Sequence, residues 1–142
     1  MDEKNREIVQ SLQEDARKPY TQIARETNLS ETAVRNRISK LEDRGIIKGY
    51  SVDIEPRAMG YDVVSITGIN TKPECFLEVA RKVNQLERTR DVRITSGDHT
   101  VMATIWAKSG EELSRMISKE IGSIEGVEKV FPAIVLETLE TS

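Results

Sequence analysis

Residues 18–48, KPYTQIARETNLSETAVRNRISKLEDRGIIK, constrain the fold of this chain more than any other stretch. Their apolar spacing predicts two short helices meeting at a steep angle, the second stopped by a glycine. Pro19 suits the first turn of one helix, which runs through Ile23 and Ala24 to about Thr27. Asn28-Leu29-Ser30 makes the turn, because Asn28 tolerates a left-handed backbone and Ser30 is a good N-cap. The next helix covers 31–44, with Val34, Ile38 and Leu41 at i, i+4 and i+7, and Gly45 is placed to end it. Ahead of both, residues 2–13 read as a helix with Asp2 and Glu3 at its positive end. Residues 46–54 then read as a strand containing Gly49, and 56–60 as a hinge.

The helix over 31–44 has a polar outer side of a particular kind. At about 100° per residue, inward Val34, Ile38 and Leu41 turn Thr32, Asn36, Ser39 and Asp43 outward, with Arg35 and Lys40 on the flanks. A helix so displayed, entered through a short turn from another helix, suits the DNA major groove. Arg35 fits guanine, Asn36 fits adenine, and Thr32 fits a thymine methyl or a phosphate, with Ser39 on the same side. Arg17, Lys18, Arg25, Lys40 and Lys48 are candidates for phosphate contacts, which position a protein without specifying sequence. Arg37 lies nearer the packed side, where a structural role is at least as well founded.

A net charge of −3 looks unsuited to DNA, since phosphate neutralisation dominates non-specific affinity. The distribution resolves this. Residues 17–48 hold eight basic and four acidic side chains, a local +4 that leaves −7 on the remainder. A basic patch on an acidic body favours oriented docking over indiscriminate coating. No apolar run approaches ~18 residues, so no membrane partner is expected, and the charged start MDEKNREIVQ has no signal-peptide core. The single cysteine, Cys75, makes no intramolecular disulfide and no metal cluster by itself, and a cytoplasmic protein without cofactor is expected.

Residues 61–142 alternate between strand and helix patterns. Strands are predicted at 61–70, 92–96, 100–107 and 127–139, with helices at 73–86 and 110–121. The order βαββαβ is the split, ferredoxin-like arrangement, so the whole chain is α+β. Such a sheet carries helices on one face only. Yet 100–107 is apolar at both parities, with Val101 and Ile105 on one side and Met102 and Trp106 on the other. The last strand repeats this, with Phe131, Ala133 and Val135 opposite Val130, Ile134 and Leu136. The uncovered face calls for a second copy of the chain, a homodimer through Met102 and Trp106. Three parts are therefore expected: a helix-turn-helix domain at 1–48, a linker strand and hinge at 49–60, and the sheet module at 61–142.

Four segments, taken in order, resemble the Lrp/AsnC (feast/famine) transcription regulators over nearly all of the chain. They are IVQSLQEDAR, YTQIARETNLSETAVRNRISKLEDRGIIKGY, the SGDH turn and IEGVEKVFPAIVLET. The resemblance implies an N-terminal (winged) helix-turn-helix followed by a ligand-sensing (RAM) domain of ferredoxin-like fold. It further implies dimers that assemble into higher even-numbered oligomers, with a small effector, commonly an amino acid, bound between dimers. Gly97, Asp98, His99 and Thr100 would lie in or beside that effector pocket. The family often has aspartate where this chain has Asn5, glycine where it has Ala16, and aspartate where it has Thr100. Threonine offers an ammonium only a neutral hydroxyl, although Asp98 is close by.

The expected function is thus a sequence-specific, effector-modulated, non-enzymatic regulator partnered by double-stranded DNA and by itself. Two alternatives belong to other classes. Some siroheme decarboxylases resemble this family in architecture and use histidines, of which this chain has only His99. An architectural protein would coat DNA with little sequence preference and a steep salt dependence.

Overall fold

Three helices make up the first of two units, Met1–Asp53 and Ile54–Ser142, in a computed structural model that describes residues 1–140. Residues 141–142, the end of the expected sheet module, lie outside the described residues. Helix α1 spans Glu3–Glu14, α2 spans Tyr20–Thr27 and α3 spans Glu31–Asp43. Each has one apolar stripe, and the stripes meet in a core of Ile8, Leu12, Ile23, Ala24, Val34 and Ile38. Burying such a side chain contributes about 1.5–3 kcal/mol.

The local signals act as expected. Asn28 takes a left-handed backbone at φ 58°, and the Ser30 hydroxyl accepts from the Ala33 N–H at 3.0 Å. Gly45, at φ 72°, ends α3, and the N–H groups of Ile46 and Ile47 fold back onto the Leu41 carbonyl. Pro19 sits one place earlier than expected, as the extended N-cap of α2.

The strand expected at 46–54 does not form, and no strand or wing occurs among the described residues of the first unit. The pattern is strand-like, with Tyr50, Val52 and Ile54 alternating with polar neighbours and all exposed. A strand needs a hydrogen-bonded neighbour, and this segment has none among the described residues.

The second unit is a ferredoxin-like βαββαβ fold. Strand β1 is Val63–Thr71, α4 is Phe76–Asn84 after a short 3-10 turn at Pro73–Cys75, and β2 is Thr89–Ile94. Strand β3 is Val101–Ala107, α5 is Gly110–Arg115 and β4 is Val127–Ile134. The strands pair antiparallel in the order β2-β3-β1-β4, so the two strands first in chain order are not neighbours. Cross-strand partners Ile69 and Val101, and Ser65 and Ile105, face α4 and α5 over a core completed by Val79, Val83, Leu113, Met116 and Ile121.

The helix expected at 73–86 is trimmed to Phe76–Asn84 behind its 3-10 turn, the strand expected at 92–96 runs instead over Thr89–Ile94, and the helix expected at 110–121 forms over its full length. The helix at 110–121 widens into a π-turn over Met116–Ile121, closed by the Gly122 N–H on the Ile117 carbonyl at 2.8 Å. A Cβ on Gly122 would lie 2.8 Å from that carbonyl oxygen, so glycine lets the wide turn close. Strand β4 ends at Ile134, not at 139, because β1 begins at Val63 and the last link is the Val135 N–H on the Val64 carbonyl. Leu136 and Leu139 are left exposed.

Candidate functional site

Helix α3 is held from two sides. Its entry is fixed by the Asn28 turn and the Ser30 cap. From α1, the Asp2 carboxylate both caps its own helix, accepting from the Asn5 N–H at 2.8 Å, and receives Arg37 at 2.8 Å. Arg37 also donates to the Asn5 side-chain oxygen at 3.2 Å. The Arg37 guanidinium holds the Asp2 carboxyl below its ordinary value. The Lys4 ammonium donates to the Thr27 carbonyl at the end of α2. Arg37 is therefore a tie between helices, the structural role that was one of its two readings.

Opposite the buried row Val34, Ile38 and Leu41, the side chains of Thr32, Arg35, Asn36, Ser39 and Lys40 are exposed. Arg17, Arg25 and Lys48 are exposed as well. Arg35 is partnered on the surface: its Nη2 lies 3.2 Å from Glu31 Oε1 and its Cζ stands 5.2 Å from the centroid of the Tyr20 ring.

Lys18 departs from expectation. It is buried, with its ammonium 3.2 Å from Glu26 and 3.4 Å from Glu14. Burial works against its charge, but the hydrogen bonds to Glu26 and Glu14 outweigh burial and raise its pKa. The aliphatic stem packs while the head is neutralised inside the fold, so Lys18 is withdrawn from the phosphate-contact set. Its spacing from Glu14 was visible in the sequence; the approach of Glu26 depended on how α1 and α2 pack.

The turn between β2 and β3 is tied down by Thr95, whose N–H donates to the Thr100 carbonyl at 2.8 Å and whose hydroxyl donates to the His99 carbonyl at 2.7 Å. Gly97 needs its φ of +129°, and Gly97 and Asp98 are exposed. The His99 ring is half-buried. It bonds Asn70 through Nδ1 at 2.9 Å and packs on Phe131 at 4.7 Å between centroids. It lies so flat on the sheet that a Cβ at Gly68 would come within 2.4 Å of it. Asn70, Gly68 and Phe131 thus join the turn from β1 and β4.

The sheet face away from the helices carries Val64, Ile66, Met102, Thr104, Trp106 and Phe131. Trp106 is flanked by Tyr61 at 5.8 Å between centroids and by Arg90, whose Cζ stands 4.3 Å from its centroid. A groove of about 530 Å³ opens here between Trp106, Ile66 and residues 135–138.

Residues 1–42 match the AsnC-type helix-turn-helix domain, and residues 63–142 match the Lrp/AsnC ligand binding domain. The chain belongs to the Lrp/AsnC family. An HTH-type transcriptional regulator LrpA of Pyrococcus horikoshii is 49% identical over 140 residues, covering 99% of each chain. Its Pyrococcus abyssi counterpart is 50% identical over the same length, again covering 99% of each. Among solved structures, E. coli AsnC superposes with a TM-score of 0.86 at 24% identity, over 100% of this chain and 96% of that one. A Neisseria meningitidis transcriptional regulator solved with L-Met gives 0.89 at 18% identity, over 100% and 94%. At that identity these structures speak for the fold.

Family and geometry agree on what the first unit does. This Lrp/AsnC protein is a DNA-binding, helix-turn-helix transcriptional regulator, as its sequence led one to expect. No helix among the described residues is long and apolar enough to cross a membrane. The sequence reading overlooked Glu31 and Tyr20 beside Arg35, although Glu31 and Arg35 stand at the i,i+4 spacing that pairs charges on a helix. It also overlooked Asn70, 29 positions from His99, which only the sheet register brings close.

Proposed function

We propose that this regulator works as a homodimer that reads a twofold DNA site and answers to a small effector of the amino-acid class. The observation that carries the reading is the outer side of α3, where Thr32, Asn36 and Ser39 stand exposed opposite buried Val34, Ile38 and Leu41. Neutral polar side chains in that position read base edges. Arg17, Arg25, Lys40 and Lys48 neutralise phosphates around them. The acidic remainder of the chain, at −7, speaks against indiscriminate coating.

A second copy covers the open sheet face. Ile66 is 47% exposed on an interior strand, beside half-buried Met102 and Trp106, and that apolar area is stabilised by removal from water. Two α3 helices per dimer then enter successive major grooves, about 10 base pairs apart. Further even-numbered assembly of such dimers belongs to the same reading.

The effector binds at the 97–100 turn. Asp98 supplies a carboxylate for an ammonium group, and Thr100 and His99 supply neutral polar partners. The ligand-binding-domain match and the relative solved with L-Met support an amino acid here. Such an effector alters DNA affinity only through its differential binding to two states of the assembly. The close relatives are named as transcriptional regulators, which supports this reading over a decarboxylase-like enzyme.

Two substitutions test the assignment on a panel of single-base operator variants. Asn36→Ala should flatten the preference at one half-site position, worth about 1–3 kcal/mol of discrimination. Lys48→Ala should weaken all sequences alike and lower the salt slope by about 0.9 per site. Equal effects of both on every sequence would remove α3 as the reading element.

A further inference from the structure

We propose that Arg35 selects guanine as a charge-compensated unit, with Glu31 and Tyr20 as its positioning residues. This rests on α3 being the base-reading helix and adds how one of its side chains is made selective. The pair is on the surface, with side chains 61% and 50% exposed, so its acceptor and donor edges are open to a ligand. Glu31 Oε1 meets one terminal nitrogen of the guanidinium at 3.2 Å, while the Tyr20 ring from α2 supports the group at 5.2 Å.

The electrostatics then favour one class of target. A free cation beside DNA goes to phosphate, where one negative charge per ~1.7 Å of duplex rewards it regardless of sequence. A guanidinium already matched by a carboxylate gains little there, because the carboxylate is repelled as the guanidinium is attracted. Guanine presents two neutral acceptors, O6 and N7, at the spacing of the guanidinium fork. Five N–H donors in a fixed plane leave enough of the fork free to take both while Glu31 keeps one. Holding the plane between a carboxylate and an aromatic ring also reduces the side-chain freedom lost on binding. Glu31 therefore suppresses phosphate contacts by Arg35 and leaves guanine contacts as its profitable use.

The test compares full-length wild type, Glu31→Gln, the double variant Glu31→Gln/Arg35→Ala and Tyr20→Phe on DNA selected by the wild type from a random pool, across a salt series. The double variant should reduce preference for guanine at one half-site position by about tenfold or more while leaving the salt slope unchanged, since the pair it removes is neutral as a whole. Glu31→Gln should release Arg35 to phosphate, steepening the slope by about 0.9 per reading helix and weakening the same guanine preference. Tyr20→Phe keeps the ring and should behave as wild type. A Glu31→Gln protein with unchanged slope and unchanged preference would make the pair an incidental surface contact. A shallower slope in the double variant would make Arg35 a phosphate contact. Either result overturns the inference while the base-reading role of α3 stands. A wild type that selects no motif overturns both.

Discussion

Glu26 on α2 gathers the Ser11 hydroxyl at 2.7 Å, the Lys18 ammonium at 3.2 Å and the Gln22 amide at 3.2 Å. These partners, the Ser11 bond first, hold its carboxyl below the ordinary 4.5. Lys18, in turn, is raised above 10.5. A depressed carboxyl contributes stability above its unfolded value and loses it as pH falls through the folded one; a raised amine loses its contribution as pH climbs through the raised value. The network should thus be fully effective between about pH 4.5 and 10.5. The gap in urea midpoint between wild type and Glu26→Gln should be constant across that window and narrow below pH 4.5. In the other unit, Gly68→Ala would drive a methyl into the His99 ring, displace it from Asn70, and destabilise by about 1–3 kcal/mol in a denaturant titration. An unchanged midpoint would mean that the ring has another place to go. Neither site was legible in the sequence, because Glu26 and Gly68 acquire meaning only from neighbours brought by packing. The Ser30 cap and the Asn28 turn were legible, because their chemistry is local.

At the scale of elements, periodicity located all three helices of the first unit and all four strands of the second to within a few residues. It overran where pairing decides the end. Residues 135–139 keep an apolar pattern, yet β1 offers them no partner beyond Val64. Residues 46–54 keep a strand pattern with no neighbouring strand among the described residues. The two-sided apolar pattern of β3 was read correctly, since Val101, Ala103, Ile105 and Ala107 are buried while Met102, Thr104 and Trp106 alternate with them on the open face. That face gives the element-scale prediction. Ile66→Lys places a charge at its centre without touching the helical core, so sedimentation should show a monomer with a helical circular-dichroism spectrum like wild type. A dimer of unchanged affinity would locate the interface elsewhere.

At the scale of the whole molecule, the sequence carried the division of labour better than its detailed chemistry. The +4 segment coincides with α2 and α3, and the acidic remainder includes the sheet module. With Lys18 neutralised inside the fold, Arg17, Arg25, Lys40 and Lys48 remain exposed as the proposed phosphate contacts. On that proposal, so modest a basic surface would give weak non-specific binding and leave base contacts to dominate selectivity. The most direct test is selection of DNA from a random pool by the full-length protein at near-physiological salt, followed by sequencing. The account predicts a twofold-symmetric motif with half-sites about 10 base pairs apart. Recovery of no motif, with binding that fades steeply as salt rises, would contradict it.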